Sequence, residues 1–112
     1  MDTITWNDFE KLEIRVGTII EVNDFPTARK PAYKLVVDFG NESGLKNSSA
    51  QITHHYSKND LLNKQVIAVI NFPPKQIAGF ISECLVLGIY DENNNVILLK
   101  PERPVSNGQK IG

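Results

Sequence analysis

The run YKLVVDFG at residues 33–40 alternates cleanly, with Tyr33, Leu35, Val37 and Phe39 on one side and Lys34 and Asp38 on the other. A period of two is the signature of a strand with one face against a core, and it fixes which side chains share that face. LEIRVGTIIEV has the same character: Leu12, Ile14, Val16, Ile20 and Val22 alternate with Glu13, Arg15 and Glu21. Gly17 and the adjacent pair Ile19–Ile20 disturb the phase, which predicts a bulge or sharp bend in a curled strand. LKNSSAQIT, QVIAVINF, SECLVLGIY and VILLK supply further strands, the last two forming a hairpin across DENNN.

Little of the remaining chain can be helical. In TWNDFEKLE, Thr5 stands three positions before Asp8, an N-cap with a carboxylate near the positive helix end, so about two turns are expected. FPTARKPAY carries two prolines and reads as an ordered loop, GNESG as a turn, and HHYSKNDLLNK as a short helix or irregular connection. PERPVSNGQKIG is extended and turn-rich. Five or six short strands with bends at glycines predict an all-β fold, a five-stranded barrel of the OB type with short helices and N- and C-terminal extensions.

With 112 residues and 41% hydrophobic content, one domain spanning residues 1–112 is expected. A core of that size is modest. QVIAVIN and CLVLGIY are moreover apolar on both faces, whereas a small barrel has a single interior. The outer surface needs cover from the short helix, the termini or a second copy of the chain. A homodimer is the favoured expectation, because one short helix covers little.

Twelve basic against thirteen acidic residues give a net charge of −1, which argues against bulk electrostatic coating of nucleic acid but leaves room for a local basic patch. Arg15, Arg29, Lys30, Lys34, Lys46, Lys75 and Lys100 fall on or beside the expected sheet, with Tyr33, Tyr56, Tyr90, Phe72 and Phe80 as aromatic neighbours. Tyr33 and Phe39 belong to the core-side alternation. A single cysteine, Cys84, fits a reducing compartment, and the N-terminal sequence has no signal-like apolar run, so a cytoplasmic location without membrane insertion is expected.

Catalysis finds no support. Ser48, Ser49 and Ser82 lack a nucleophile-elbow context, and the side chains of His54 and His55 would diverge on a strand. One cysteine, two adjacent histidines and Asp60 have no metal-ligand spacing. Neither metal nor cofactor is expected, and Cys84 reads as a buried, inert thiol.

The segment NFPPKQIAGFISECLVLG places two prolines, a lysine and a glycine between apolar runs. Pro73 and Pro74 stiffen it, Gly79 permits a backbone angle closed to other residues, and Lys75 sets a point charge at the rim. Together with DFEKLEIRVGTII, FPTARKPAYKLVVDFG and SSAQIT, this segment resembles the tRNA-binding domain, an OB-fold module appended to some methionyl-tRNA synthetases. Within that family SAQIT, NFPP and PVSNGQKIG are similar to the CsaA type, dimeric chaperones with export-related activity.

The resemblance implies a nucleic-acid side on the barrel face and the loop before the fifth strand, at Lys75, Gly79, Ser82 and Leu85, to which the basic reading adds Lys46. Many members carry methionine where Leu85 stands and histidine where Phe25 stands. For the CsaA type it implies apolar cavities on a dimer that take extended polypeptide, with export substrates and the secretion motor as partners; Phe72, Phe80 and Leu87 are the candidate peptide contacts. Two non-catalytic functions follow. Binding of unfolded or precursor polypeptide depends weakly on salt, whereas docking onto tRNA through phosphate and sugar weakens steeply with salt.

Overall fold

The computed structural model describes residues 1–112. Helix α1 (Trp6–Glu10) opens the chain on a reciprocal capping box, in which the Asp8 N–H donates to Thr5 Oγ1 at 3.2 Å and the Thr5 N–H to Asp8 Oδ2 at 3.0 Å. The helix has five residues, fewer than the two turns expected, and none of them is buried. Without an apolar face packed against the barrel, little favours its extension.

Strands β1 (Ile14–Asp24) and β2 (Tyr33–Asp38) are followed by a single turn, α2 (Gly40–Ser43), and by β3 (Leu45–Ala50). Helix α3 (Lys58–Leu61) precedes β4 (Gln65–Val69), and five short strands complete the fold: β5 (Lys75–Ile77), β6 (Phe80–Ser82), β7 (Leu85–Val86), β8 (Gly88–Tyr90) and β9 (Val96–Leu98). The main sheet is antiparallel with order β3-β2-β1-β4-β7; β5–β6 and β8–β9 are separate hairpins.

The sheet curls into a nearly closed five-stranded barrel because its two edges meet. The Glu83 N–H donates to the Asn47 carbonyl at 2.8 Å, and the Asn47 N–H returns a bond to Glu83 Oε1 at 2.9 Å. Ser48 Oγ donates to the Cys84 carbonyl at 3.1 Å, and the Ser49 N–H to Ser82 Oγ at 3.1 Å. Side-chain bonds thus replace a regular ladder along this seam.

Inside lie Ile19, Leu35, Val37, Phe39 and Val66, with Leu61 of α3 filling in from between β3 and β4. The alternation in residues 33–39 holds: Leu35, Val37 and Phe39 are fully buried, and the half-buried Tyr33 donates its hydroxyl to the Tyr56 carbonyl at 2.7 Å. In β1 the expected bulge is present but reverses one assignment. Ile19 pairs with Val37 and Glu21 with Val36, so Ile20 is the extra residue and the phase shifts there. Ile19 is 0% exposed and Ile20 is 41% exposed, although the alternation put Ile20 on the core side. A bulge moves every later side chain by one position, and the sequence marked its neighbourhood without choosing between the two isoleucines.

SECLVLGIY is not one continuous strand. Leu87 interrupts it, donating its N–H to the Ile67 carbonyl while its own carbonyl accepts from the Leu99 N–H. The chain thereby leaves the barrel and enters the hairpin β8–β9, in which Ile89 faces Ile97 across the strands. Part of the doubly apolar surface is covered within the chain, for in β4 Val69 is buried as well as its neighbour Ala68 on the other face.

The C-terminal segment is anchored along β1. The Gly108 N–H donates to the Val16 carbonyl, the Val16 N–H to the Gln109 carbonyl, and the Ile111 N–H to the Ile14 carbonyl. Gln65 receives the Val105 N–H on Oε1 and donates from Nε2 to the Val105 carbonyl, while Arg15 Nη1 donates to the Gly108 carbonyl at 3.0 Å. β1 therefore spends its first half between β4 and this tail, and its second half beside β2.

Carboxylates at the joints set the acid limit of the fold. The Thr5 N–H bond lowers the pKa of Asp8, the Ser57 N–H bond lowers that of Asp60, and His55, 2.7 Å from Oδ2, lowers that of Asp91. A carboxyl depressed in the folded state contributes stability above its unfolded pKa, near 4, and loses it as pH falls through the folded value. The melting temperature is expected to be flat from neutrality to about pH 5 and to fall below about pH 4. A melting temperature constant down to about pH 3 would contradict this.

Candidate nucleic-acid and polypeptide interface

The segment following Asn71 contains a hairpin that its sequence did not announce. Ile77 pairs with Phe80, leaving Ala78 and Gly79 as a two-residue turn with φ of +47° and +82°. Positive φ at both positions is the backbone of a type I′ turn, whose twist suits adjoining strands. Gly79 is thus required by the turn; nothing lies within 4 Å of a Cβ built there.

Directly opposed residues of an antiparallel pair share a face. Lys75 pairs with Ser82 and Ile77 with Phe80, so Lys75, Ile77, Phe80 and Ser82 occupy one face of the hairpin and Gln76 and Ile81 the other. Phe80 packs edge-on to Phe25, with ring centres 5.5 Å apart. The Lys34 ammonium lies 5.4 Å from the Phe25 centroid and 5.8 Å from that of Phe80.

Of the expected nucleic-acid residues, Lys75, Gly79 and Ser82 share this hairpin, which β3 adjoins through the Ser49–Ser82 bond. Lys46 is half-buried on β3 opposite Val37, and Leu85 is an exposed residue of β7. Ser82 has a structural task in addition, as one of the groups that join the barrel edges. The expected peptide contacts have three different surroundings: Phe72 is exposed before the hairpin, Phe80 is half-buried against Phe25, and Leu87 is half-buried where the chain leaves the barrel. The hydroxyl of Tyr56 accepts the Leu98 N–H, which ties that ring to the β8–β9 hairpin, whereas Tyr90 remains exposed.

The cations divide into a paired and an unpaired group. Lys11, Arg15, Lys110 and Arg103, on α1, the start of β1 and the C-terminal segment, are each paired with a carboxylate, as Lys58 of α3 is with Asp24. Arg29, Lys30, Lys34, Lys46 and Lys75, on the β1–β2 loop, β2, β3 and β5, take part in none of the chain's ion pairs, nor do Lys64, just before β4, and Lys100, after β9. Sequence reasoning included Lys34 among the basic residues but could not see the two rings beneath it.

Near the seam, burial raises the Cys84 thiol to about 11, outweighing the downward pull of a Ser48 hydrogen bond and of the Lys46 charge. At neutral pH the group is a thiol and a poor nucleophile, as the sequence suggested. A second surface is apolar. Ile4, Trp6 and Phe9 line an open groove of about 380 Å³ with Gly112, and the adjoining one of about 220 Å³ adds Leu12 and Ile111. Trp6 is 66% exposed, with its ring 5.2 Å from that of Phe9.

Comparison with known proteins fits this arrangement. Residues 14–110 match the family described as "Putative tRNA binding domain". The chain is 58% identical to the crystal structure of the CsaA chaperone protein from Picrophilus torridus, with a TM-score of 0.92 over 98% of this chain and 100% of that one. For the chaperone CsaA from Bacillus anthracis str. Ames the values are 48%, 0.93, 99% and 100%. Methionine–tRNA ligase of Thermococcus onnurineus is 39% identical over 99% of this chain, which spans only 15% of the ligase. Sequence and barrel agree: the chain belongs to the tRNA-binding domain family and is similar in structure to CsaA chaperones.

Proposed function

We propose that this chain is a CsaA-like homodimer that binds unfolded or precursor polypeptide, linked to protein export, through apolar surface outside the barrel. The observation that carries this reading is the set of large apolar side chains still exposed when the barrel is closed: Phe72, Leu85, Ile89, Tyr90 and Ile97. Leu85, Ile89 and Tyr90 belong to CLVLGIY, whose two-sided apolar character exceeded what one interior can use; Phe72 directly follows QVIAVIN, and Ile97 lies opposite Ile89. An extended chain lends its own apolar side chains to such a surface, and affinity then scales with apolar area removed from water, on the order of 25 cal/mol per Å² before the cost of ordering. The groove of Ile4, Trp6 and Phe9 beside the C-terminal segment is the natural seam for a second copy.

A second reading is favoured by the unpaired cations. Arg29, Lys30, Lys34, Lys46 and Lys75 belong to the β1–β2 loop, β2, β3 and β5, and unpaired cations of this kind can follow the phosphates of a tRNA despite the net charge of −1.

The test is a titration of the purified protein against mixed tRNA and against a reduced, unfolded precursor polypeptide, each at low and high salt. Polypeptide affinity that persists in high salt supports the chaperone reading; its absence refutes that reading. Lys75→Glu is expected to weaken tRNA binding about tenfold, some 1.4 kcal/mol, with the elution volume on gel filtration unchanged. Equal affinity in the variant would remove the β5–β6 hairpin from the tRNA surface.

A further inference from the structure

Lys34 differs from every other cation in its surroundings. Its neighbours across the strands are Asn23 on β1 and Ser49 on β3, both uncharged, and no carboxylate lies within ion-pairing distance of it. The residue is half-buried, with its ammonium over the Phe25 and Phe80 rings, which themselves meet edge to face. Phe25 is buried and follows β1 directly, whereas Phe80 comes from the distant β5–β6 hairpin. Barrel closure through Ser49 and Ser82 brings that hairpin beside β3.

Two rings attract an ammonium through their quadrupoles, and this contact restricts a flexible side chain without neutralising its charge. Lysines on a solvated surface normally surrender rotamer freedom when they meet a phosphate. Lys34 has surrendered part of it already. The hairpin face that carries Phe80 also carries Lys75 and Ser82, so a second cation and a hydroxyl lie along the same surface.

We propose that Lys34 contacts a backbone phosphate of bound tRNA, with Phe25 and Phe80 acting as positioning residues that hold its ammonium at the surface. The proposal rests on the tRNA-binding reading above and adds to it the two rings that fix the Lys34 ammonium.

The experiment measures binding of mixed tRNA at four or five salt concentrations for the wild type, Lys34→Met, Lys34→Arg, Phe80→Leu and, as a control at an unpaired lysine that lies over neither ring, Lys100→Met. Lys34→Met is expected to weaken binding about tenfold and to reduce the slope of log affinity against log salt by about one. Lys34→Arg keeps the charge and the ring contact and is expected to retain the slope. Phe80→Leu keeps the charge but frees the ammonium, so affinity is expected to fall several-fold with little change in slope. Wild-type affinity and slope in Lys34→Met overturn the proposal, as does an equal loss in Lys100→Met. Absence of tRNA binding by the wild type overturns the underlying reading and this proposal with it. Circular dichroism of each variant separates loss of contact from loss of fold.

Discussion

Phe39→Ala is expected to cost about 3–5 kcal/mol, more than any other substitution considered, because the ring is 1% exposed at the point where three parts of the chain meet. It ends the alternating run of β2 and lies so close to Gly17 that a Cβ there would stand 2.7 Å from Cδ1 and Cε1. Its N–H donates to the Gly44 carbonyl across the α2 turn. Truncation removes the ring's transfer free energy and leaves a cavity that β1 can close only by bending at Gly17. Native domains have only about 5–15 kcal/mol in total, so the loss takes a large share. Urea denaturation at neutral pH checks it; a loss below about 1 kcal/mol would show that the core collapses around the missing ring.

The second large effect is expected at Gly108, where the C-terminal segment meets the Phe39 backbone. Its φ is +92°, and a Cβ there would stand 2.5 Å from the Phe39 carbonyl oxygen. A β-branched residue is disfavoured at such a φ and cannot move aside from a backbone atom. Gly108→Val is expected to cost about 2–3 kcal/mol and to detach residues 105–111 from β1, a loss mainly of local rather than core structure. Faster hydrogen exchange at Val16, whose N–H is donated to Gln109, reports the detachment directly. Unchanged exchange there, with unchanged stability, would mean that the tail accommodates the side chain by shifting as a unit.

What the sequence revealed, and what it hid, follows from the range of the interactions. Residues 33–39 were legible because an alternating strand needs only its own neighbours to define its faces. The α1 cap was legible for the same reason, since Thr5 and Asp8 are three residues apart. The β5–β6 hairpin was not, because each strand has three residues and its turn is Ala-Gly, without the Asn or Asp that commonly marks a type I′ turn. The structural task of Ser82 was hidden as well, since the Ser49 N–H that donates to its hydroxyl comes from a strand more than thirty residues earlier. Lys34 shows the limit most clearly. Its side of the strand was readable from the alternation, but the ring from Phe80 reaches it only after the barrel has closed.

The divided edge of β1 has a consequence for the order in which the molecule can be built. Residues 14–18 find one hydrogen-bonding partner in β4 and the other in residues 108–111, such that Arg15 and Gly108 meet across 93 positions. Until residues 108–111 dock, the first half of β1 has an open edge, while its second half is matched by β2. Contacts of such separation slow folding, since the loop-closure entropy is lost before any bond compensates for it. A chain in which residues 105–111 have not yet docked would therefore hold a barrel with one unsealed rim, exposed to pairing with other extended chains, and their docking would be a sealing step late in folding.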